Sequence, residues 1–452
     1  MGRGFPPLDD ELQLLPGSLT PSLVEGLVRL GAWATFEPAA AMLEHFTKVR
    51  VGKATAVRAA EGAGAAYVEA QSAEMERLER EMPDSPEGPA VQQLSVDGAM
   101  VPLVGGAWAE VKTLAIGTVK VEVVKGEREV HTEGLSYFSR MTDHETFGRL
   151  ATVETHRRGT ERAGIVGAVN DGADWEQGFV DYQRPDAVRI LDWGHATEHL
   201  AAGAQAVLGA GTAESSEWLG VQLHELKHGD SDGVLKALRG LKDGLLQHGA
   251  AGGGGKGCQG AREEATRAQG DEEVLEIVPG REQDFKVVSE HLEYLEKRAD
   301  QIRYAEFIAA GLPIGSGIVE SANKLVVEAR LKGAGMHWER GHVAPMVALR
   351  NVVCSDRWDE AWAVIAERLR LGPRERAEAR RAQHQSEGAA LVQGTIRERV
   401  EIEPMEGPMP TPTAEREPVP TQVVDKPANG ARRPAPNHPW RRMAVGRAQL
   451  AA

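Results

Sequence analysis

Between residues 91 and 208 the chain alternates apolar runs with amphipathic ones in an order that few sheets can accommodate. Residues 91–103 read as a strand, Val104-Gly105-Gly106 as a turn, and residues 109–124 as a returning strand. Leu135 to Arg140 reads as a third. Asp143 through Thr155 is amphipathic at helical spacing, Ile165 to Asn170 is a fourth strand, and Trp175 to Tyr182 is a helix. Val188 to Leu191 then makes a fifth strand and His195 to Leu208 another helix. The first three strands are of the antiparallel type, whereas strands separated by a helix are joined by a crossover. The expectation is an α/β fold with a mixed five-stranded sheet and helices.

Three acidic residues stand at telling places in that order. Asp97 lies inside the apolar run Leu94-Ser95-Val96-Asp97-Gly98-Ala99-Met100-Val101, and Asp171 ends the run Ile165 to Val169 in Asn170-Asp171-Gly172-Ala173-Asp174-Trp175. Glu320 falls in Gly315-Ser316-Gly317-Ile318-Val319-Glu320-Ser321-Ala322-Asn323-Lys324, the first turns of a helix. Taken singly, each has a plain explanation: an Asp-Gly pair is usually a turn, and a glutamate in a first helical turn complements the helix dipole. Together they read differently. The element order is similar to that of a ribonuclease H-like domain, in which the first and fourth strands are neighbours, so Asp97 and Asp171 would lie side by side. Two like charges ~4 Å apart repel by roughly 4 kcal/mol at an effective dielectric near 20. Divalent cations remove that penalty, and oxygen ligands without cysteine select Mg²⁺ or Mn²⁺. Two such ions serve in-line displacement at a phosphodiester.

A fourth cluster follows the second acid, Leu191-Asp192-Trp193-Gly194-His195-Ala196-Thr197-Glu198-His199. At a strand-to-helix junction Asp192 can cap the helix while His195 faces the site. His195 and His199 lack the intervening glutamate of a metalloprotease helix and any cysteine partner, so zinc is a poor fit.

The remaining chain is read more coarsely. Residues 1–85 read as helical: Thr20-Pro21 opens a helix with Leu23, Leu27 and Leu30 on one face, and a second starts near Pro38 with Met42, Leu43 and Phe46 inward. A third runs from Ala54 through Arg58, and Gln71 to Met82 forms a charged connector helix. Short helices around a glycine turn resemble a helix-turn-helix unit, hence a DNA-binding region. Residues 90–208 form the first part of the catalytic domain, 209–302 an all-helical insertion that splits it, and 303–370 its end, with the Glu320 helix. The run Gly252 to Gly257 reads as a linker, since no Lys-Ser or Lys-Thr pair opens a helix after it. Residues 371–452 turn Arg/Glu/Ala-rich and then Pro-rich, the composition of a disordered tail.

Composition narrows the classes. The 452 residues carry a net charge of −15, which alone argues mildly against a nucleic-acid partner, but the charge is unevenly placed. Lys324, Arg330, Lys332, Arg340 and Arg350 crowd the stretch after Glu320, and the tail beyond Asp425 holds Lys426, Arg432, Arg433, Arg441, Arg442 and Arg447 without an acid. Arg330, Lys332 and Arg340 are candidates for phosphate contacts, Trp338 for stacking on an unpaired base, and Asn323 for facing the same site as Glu320. Two cysteines, Cys258 and Cys354, make no disulfide framework and favour a reducing cytoplasm. No apolar run approaches the ~20 residues of a membrane span.

These strings, with Arg330-Leu331-Lys332-Gly333-Ala334-Gly335-Met336-His337-Trp338, make the chain resemble the DDE transposases of bacterial insertion sequences, most closely the ISKra-like group, over roughly residues 3 to 365. The resemblance implies a ribonuclease H-like catalytic domain with Asp97, Asp171 and Glu320 as its metal-binding catalytic triad. It makes Asp192 and His195 an accessory motif and the segment from Lys324 to Arg340 a DNA contact. The implied activity is cleavage of element ends and strand transfer into target DNA, with two Mg²⁺ or Mn²⁺ ions. The partners would be double-stranded DNA and a second copy of the chain, in the cytoplasm at the nucleoid. Similar proteins often carry a cysteine-containing, zinc-binding segment before the string Gly2-Arg3-Gly4-Phe5-Pro6, so the expectation is either a truncated start or a start assigned too late in the reading frame. A metal-dependent nuclease without strand transfer, or a truncated DNA-binding derivative that no longer transposes, remains the alternative. A two-carboxylate glycosidase would leave Glu320 and the basic strip unexplained.

Overall fold

The computed structural model describes Leu15 and residues 18–124, 127–248 and 275–371. The glycine run at 252–257, Cys258 and the basic tail lie outside the described residues. At the centre is a five-stranded mixed sheet of order β3-β2-β1-β4-β5, made of β1 (Val91–Pro102), β2 (Trp108–Val124), β3 (Glu127–Arg140), β4 (Ile165–Asn170) and β5 (Val188–Leu191). β1, β2 and β3 pair antiparallel, while β4 lies parallel to β1 and β5 parallel to β4. The first and fourth strands are therefore neighbours, as the sequence leads one to expect. β3 starts earlier than its apolar portion suggests, because its first half is a largely exposed ribbon against β2, where Val121 and Val123 face solvent.

Alternation along β1 sends its side chains into two different cores. Leu94 and Val96 pack with α4 (His144–Arg157) and α5 (Asp174–Gln183) through Phe147, Leu150, Phe179 and Val180. Ala99 and Val101 pack on the opposite face against Val326, Val347 and Tyr67. Asp97 belongs by register to this second face. A third core joins β4 and β5 to α6 (Trp193–Leu208) and to the following helices α7 (Ala213–His228), α8 (Ser231–Asp243) and α9 (Glu282–Glu296). The insertion is not all helical, since β6 (Leu246–His248) and β7 (Leu275–Ile277) pair antiparallel within it. Three residues each were too short to show a period in sequence.

At the amino end α1 (Pro21–Trp33), α2 (Phe36–Thr47) and α3 (Lys53–Glu81) enclose Leu27, Ala40, Leu43 and Ala56. Met42 and Phe46 point outward, contrary to expectation, because the small residues Ala39 and Ala40 let α2 approach its neighbours on the face that Leu43 shares. α3 is a single helix of 29 residues, not a short helix and a separate connector. The string Glu61-Gly62-Ala63-Gly64 looks like a breaker, yet Gly64 is where the helix meets α13 (Arg340–Cys354): a Cβ there would lie 2.3 Å from the Pro345 carbonyl oxygen. After α10 (Tyr304–Ala309), the chain forms α11 (Gly317–Ala322), a π-helical turn over Asn323–Glu328 and α12 (Ala329–Leu331), with α14 (Trp358–Arg370) closing the described part. Among the described residues no helix is long and apolar enough to cross a membrane.

Candidate active site

The parallel register of β1 and β4 brings the two strand acids together. Val91 pairs with Ile165 and Leu94 with Ala168, and the same offset carried three residues further sets Asp97 beside Asp171. Asn170 secures the end of the ladder, its side-chain oxygen accepting the Val96 amide at 2.8 Å. Just past β4 the chain turns at Gly172, whose φ of +89° is costly for other residues. Glu176, in the first turn of α5, reaches back to this turn and accepts the Gly172 and Ala173 amides at 3.0 and 3.2 Å.

Carboxylate oxygens of Asp97, Asp171 and Glu176 all lie within 4.8 Å of one another, an arrangement that could hold a metal ion. Glu176 is 1% exposed. Burial first, then its contact with Asp171, pushes its carboxyl up to about 10, so in the absence of a cation it holds a proton at neutral pH. Asp97 is raised above its ordinary value by burial, opposed by the Gly98 amide and reinforced by the charge of Asp171. The Asn323 side-chain amide donates to Asp97 Oδ2 at 2.8 Å, while its own Oδ1 is buried without a hydrogen-bond partner. Oxygen ligands and an orphaned amide oxygen fit a hard divalent cation better than a zinc ion.

Glu320 does not join this group. It is exposed on α11, one helical turn before Asn323, and so stands on the side of the helix that reaches Asp97. Glu176 was missed in the sequence because a glutamate three residues into a helix reads as an ordinary cap. Its signal was the distance of only five residues from Asp171, with a glycine turn between.

Asp192 stands at the cap position of α6 and His195 in its first turn. Asp192 caps α6 by accepting the His195 amide at 3.0 Å, and it also takes the Ser316 amide at 2.6 Å, tying α6 to the segment that leads into α11. Burial works to raise the Asp192 carboxyl, but the hydrogen bonds from His195 and Ser316 outweigh it and hold it at about 2. His195 is correspondingly raised by its hydrogen bond to Asp192, at 3.3 Å through Nδ1, against burial and with help from the charge of Asp171.

The basic segment divides into two groups. Lys324 and Arg340 are exposed, and Lys332 is paired with Glu328 at 2.6 Å. Arg330 is buried and donates to the Gly31 carbonyl at 3.0 Å, with Phe36 and Trp338 on its guanidinium. Arg350 donates to the Ala32 carbonyl at 3.1 Å. These two arginines satisfy carbonyls of the last turn of α1, which has no basic residue of its own there. Trp338 is buried, its indole donating to the Leu331 carbonyl at 3.1 Å. As placed, Arg330 and Trp338 hold helices together instead of presenting themselves to a nucleic acid.

No family model matches the chain, and no curated protein matches it.

Proposed function

We propose that the protein is a metal-dependent polynucleotidyl transferase with a ribonuclease H-like catalytic fold, acting as the DNA transposase of an insertion sequence. The observation that carries this reading is the convergence of Asp97, Asp171 and Glu176 from β1, the end of β4 and α5, with ligand oxygens within 4.8 Å. The strand order, with β1 and β4 parallel and adjacent, supports the fold assignment.

Asp97 and Asp171 are the residues that would hold Mg²⁺ or Mn²⁺, with Glu176 on the buried side and Glu320 on the exposed side, one turn from Asn323. Bound there, a pair of divalent ions supplies Lewis-acid activation of the attacking oxygen and neutralises charge on the leaving oxygen. Asn323 orients Asp97 through its amide. His195, biased toward its protonated form by Asp192 and sensing the charges of Asp97 and Asp171, would hold or pass a proton there. Lys324, Lys332 and Arg340 would contact phosphates, which sets register without reading sequence. The helices α1 to α3 would bring the element end to the site, and synapsis of two ends calls for at least two copies of the chain. Such a protein would work on DNA in the cytoplasm.

The test is cleavage and joining of an element-end duplex with Mg²⁺. Asp97→Asn and Asp171→Asn should each lower cleavage by at least a thousandfold while binding the duplex as the parent does. Full cleavage by either variant would defeat the assignment, and cleavage without joining would make the enzyme a nuclease.

A further inference from the structure

The end of the insertion runs along the turn that carries Asp171. Four contacts connect the segment Tyr294–Gln301 with the segment Asp171–Gln177, across more than a hundred residues of sequence. The Tyr294 hydroxyl donates to the Asp171 carbonyl, and the Arg298 guanidinium donates to the Gly172 carbonyl, with Nε at 3.1 Å. Lys297 faces Asp174 at 3.4 Å, and the Gln301 amide donates to the Gln177 side chain at 3.3 Å.

Arg298 and Tyr294 are themselves held. The guanidinium lies 3.7 Å over the Tyr294 ring, and the other side of that ring system is engaged by His199 of α6, stacked at 3.8 Å and nearly parallel. His291 meets His199 at 2.9 Å through the two Nδ1 atoms. His199, lowered to about 4 chiefly by burial and further by electrostatic interaction with His291, His195 and Arg298, is neutral at physiological pH and packs as a flat ring. Arg298 is 7% exposed, a position at which a charged side chain needs compensating acceptors. The turn it grips is shaped to receive it: a Cβ on Gly172 would lie 2.5 Å from Arg298 Nε and 2.7 Å from the Tyr294 hydroxyl oxygen. Glu176 holds the same turn from the other side through the Gly172 and Ala173 amides. The carbonyls of Asp171 and Gly172 are thus held by the insertion, the Gly172 amide by Glu176 of α5, and the Ala173 amide jointly by Glu176 and the Asp171 carboxylate, the latter at 2.8 Å.

We propose that Tyr294 and Arg298 are positioning residues for Asp171, so that the helical insertion sets the geometry of the metal site as well as separating its parts in sequence. This rests on the metal-dependent reading above. Groups that orient a ligating carboxylate typically change metal affinity by about ten- to a hundredfold when removed.

The experiment measures Mn²⁺ affinity of the full chain by calorimetry, together with amide exchange over residues 170–176 and thermal unfolding. Tyr294→Phe keeps the stacked ring and deletes one donor; Arg298→Ala deletes two donors, and Arg298→Lys restores charge without the fork. The expected result is about tenfold weaker Mn²⁺ binding in Tyr294→Phe and Arg298→Ala, partial recovery in Arg298→Lys, and faster exchange of the Gly172 and Ala173 amides. Cleavage should recover at raised Mn²⁺, which a merely misfolded variant would not show. Should Arg298→Ala fail to fold, Tyr294→Phe still decides the question. Mn²⁺ binding that Asp171→Asn abolishes but Tyr294→Phe and Arg298→Ala leave unchanged would overturn the positioning role alone. A parent protein with no Asp171-dependent Mn²⁺ binding would overturn the metal reading and this inference with it.

Discussion

A buried carboxyl group and a half-buried imidazole near it both tie stability to pH. Glu176 is raised to about 10 by burial and by Asp171, against about 4.3 in an unfolded chain. A carboxyl raised by folding contributes its stability fully below the unfolded value and loses it progressively as pH climbs toward the folded one. The metal-free protein should therefore lose stability between about pH 5 and pH 9. Glu176→Gln, which keeps an acceptor for the Gly172 and Ala173 amides, should flatten that slope in thermal unfolding and stabilise the protein by about 1–2 kcal/mol at pH 8. A slope unchanged by the substitution would show that Glu176 is not the buried acid responsible. His195 follows the same sign from a different cause. Raised by Asp192, it favours the folded state below about pH 6.5 and ceases to do so as pH rises through its folded value. Asp192→Asn should bring the His195 titration, followed by NMR, back toward 6.5 while keeping the helix cap, whereas Asp192→Ala should also remove the cap at a cost of about 1 kcal/mol. At this scale the meeting of Asp97 with Asp171 and the cap at Asp192 were legible, because Asp97 interrupts an apolar run, Asp171 ends one and Asp192 precedes a helix. Glu176, Tyr294 and Arg298 were not, since their meaning comes from a turn they reach only after folding.

The elements were readable where flanking turns and apolar content agreed, as in β1, β4 and β5. They were misread where a tertiary contact overrides local preference. Gly62 and Gly64 lower helix propensity by about 1 kcal/mol each relative to alanine, and the sequence accordingly suggests a break. The break is absent because α3 must lie against α13, with Gly64 at the crossing. Gly64→Ala would drive a methyl group into the Pro345 carbonyl and should destabilise by about 1–3 kcal/mol despite its better helix propensity. A rise in melting temperature for this variant would contradict the packing described here. The outward-facing Met42 and Phe46 have the same cause, for alanines on α2 decide which face can come close.

Across the whole molecule, the amino-terminal helices share an apolar core with the central sheet through Val28, Ala32 and Tyr67, and buried cations tie them to it further. Arg330 and Arg350 leave the segment that follows Glu320 and end on the carbonyls of Gly31 and Ala32. Reading basic residues there as DNA contacts overlooked that a helix end can be their partner, which no local pattern reveals. Removing either guanidinium leaves buried carbonyls unsatisfied, so Arg330→Met should cost about 2–4 kcal/mol and loosen α1 in amide exchange. Lys324→Ala and Arg340→Ala should instead leave stability intact and reduce the salt dependence of DNA binding.

The proposed chemistry depends on Asp97 and Asp171 holding a divalent cation between two parallel strands. The most direct measurement is anomalous diffraction from a crystal soaked in Mn²⁺. A peak is expected within about 2.0–2.3 Å of carboxylate oxygens of Asp97 and Asp171, and is lost in Asp171→Asn. Manganese bound elsewhere, with none between these two aspartates, would contradict it.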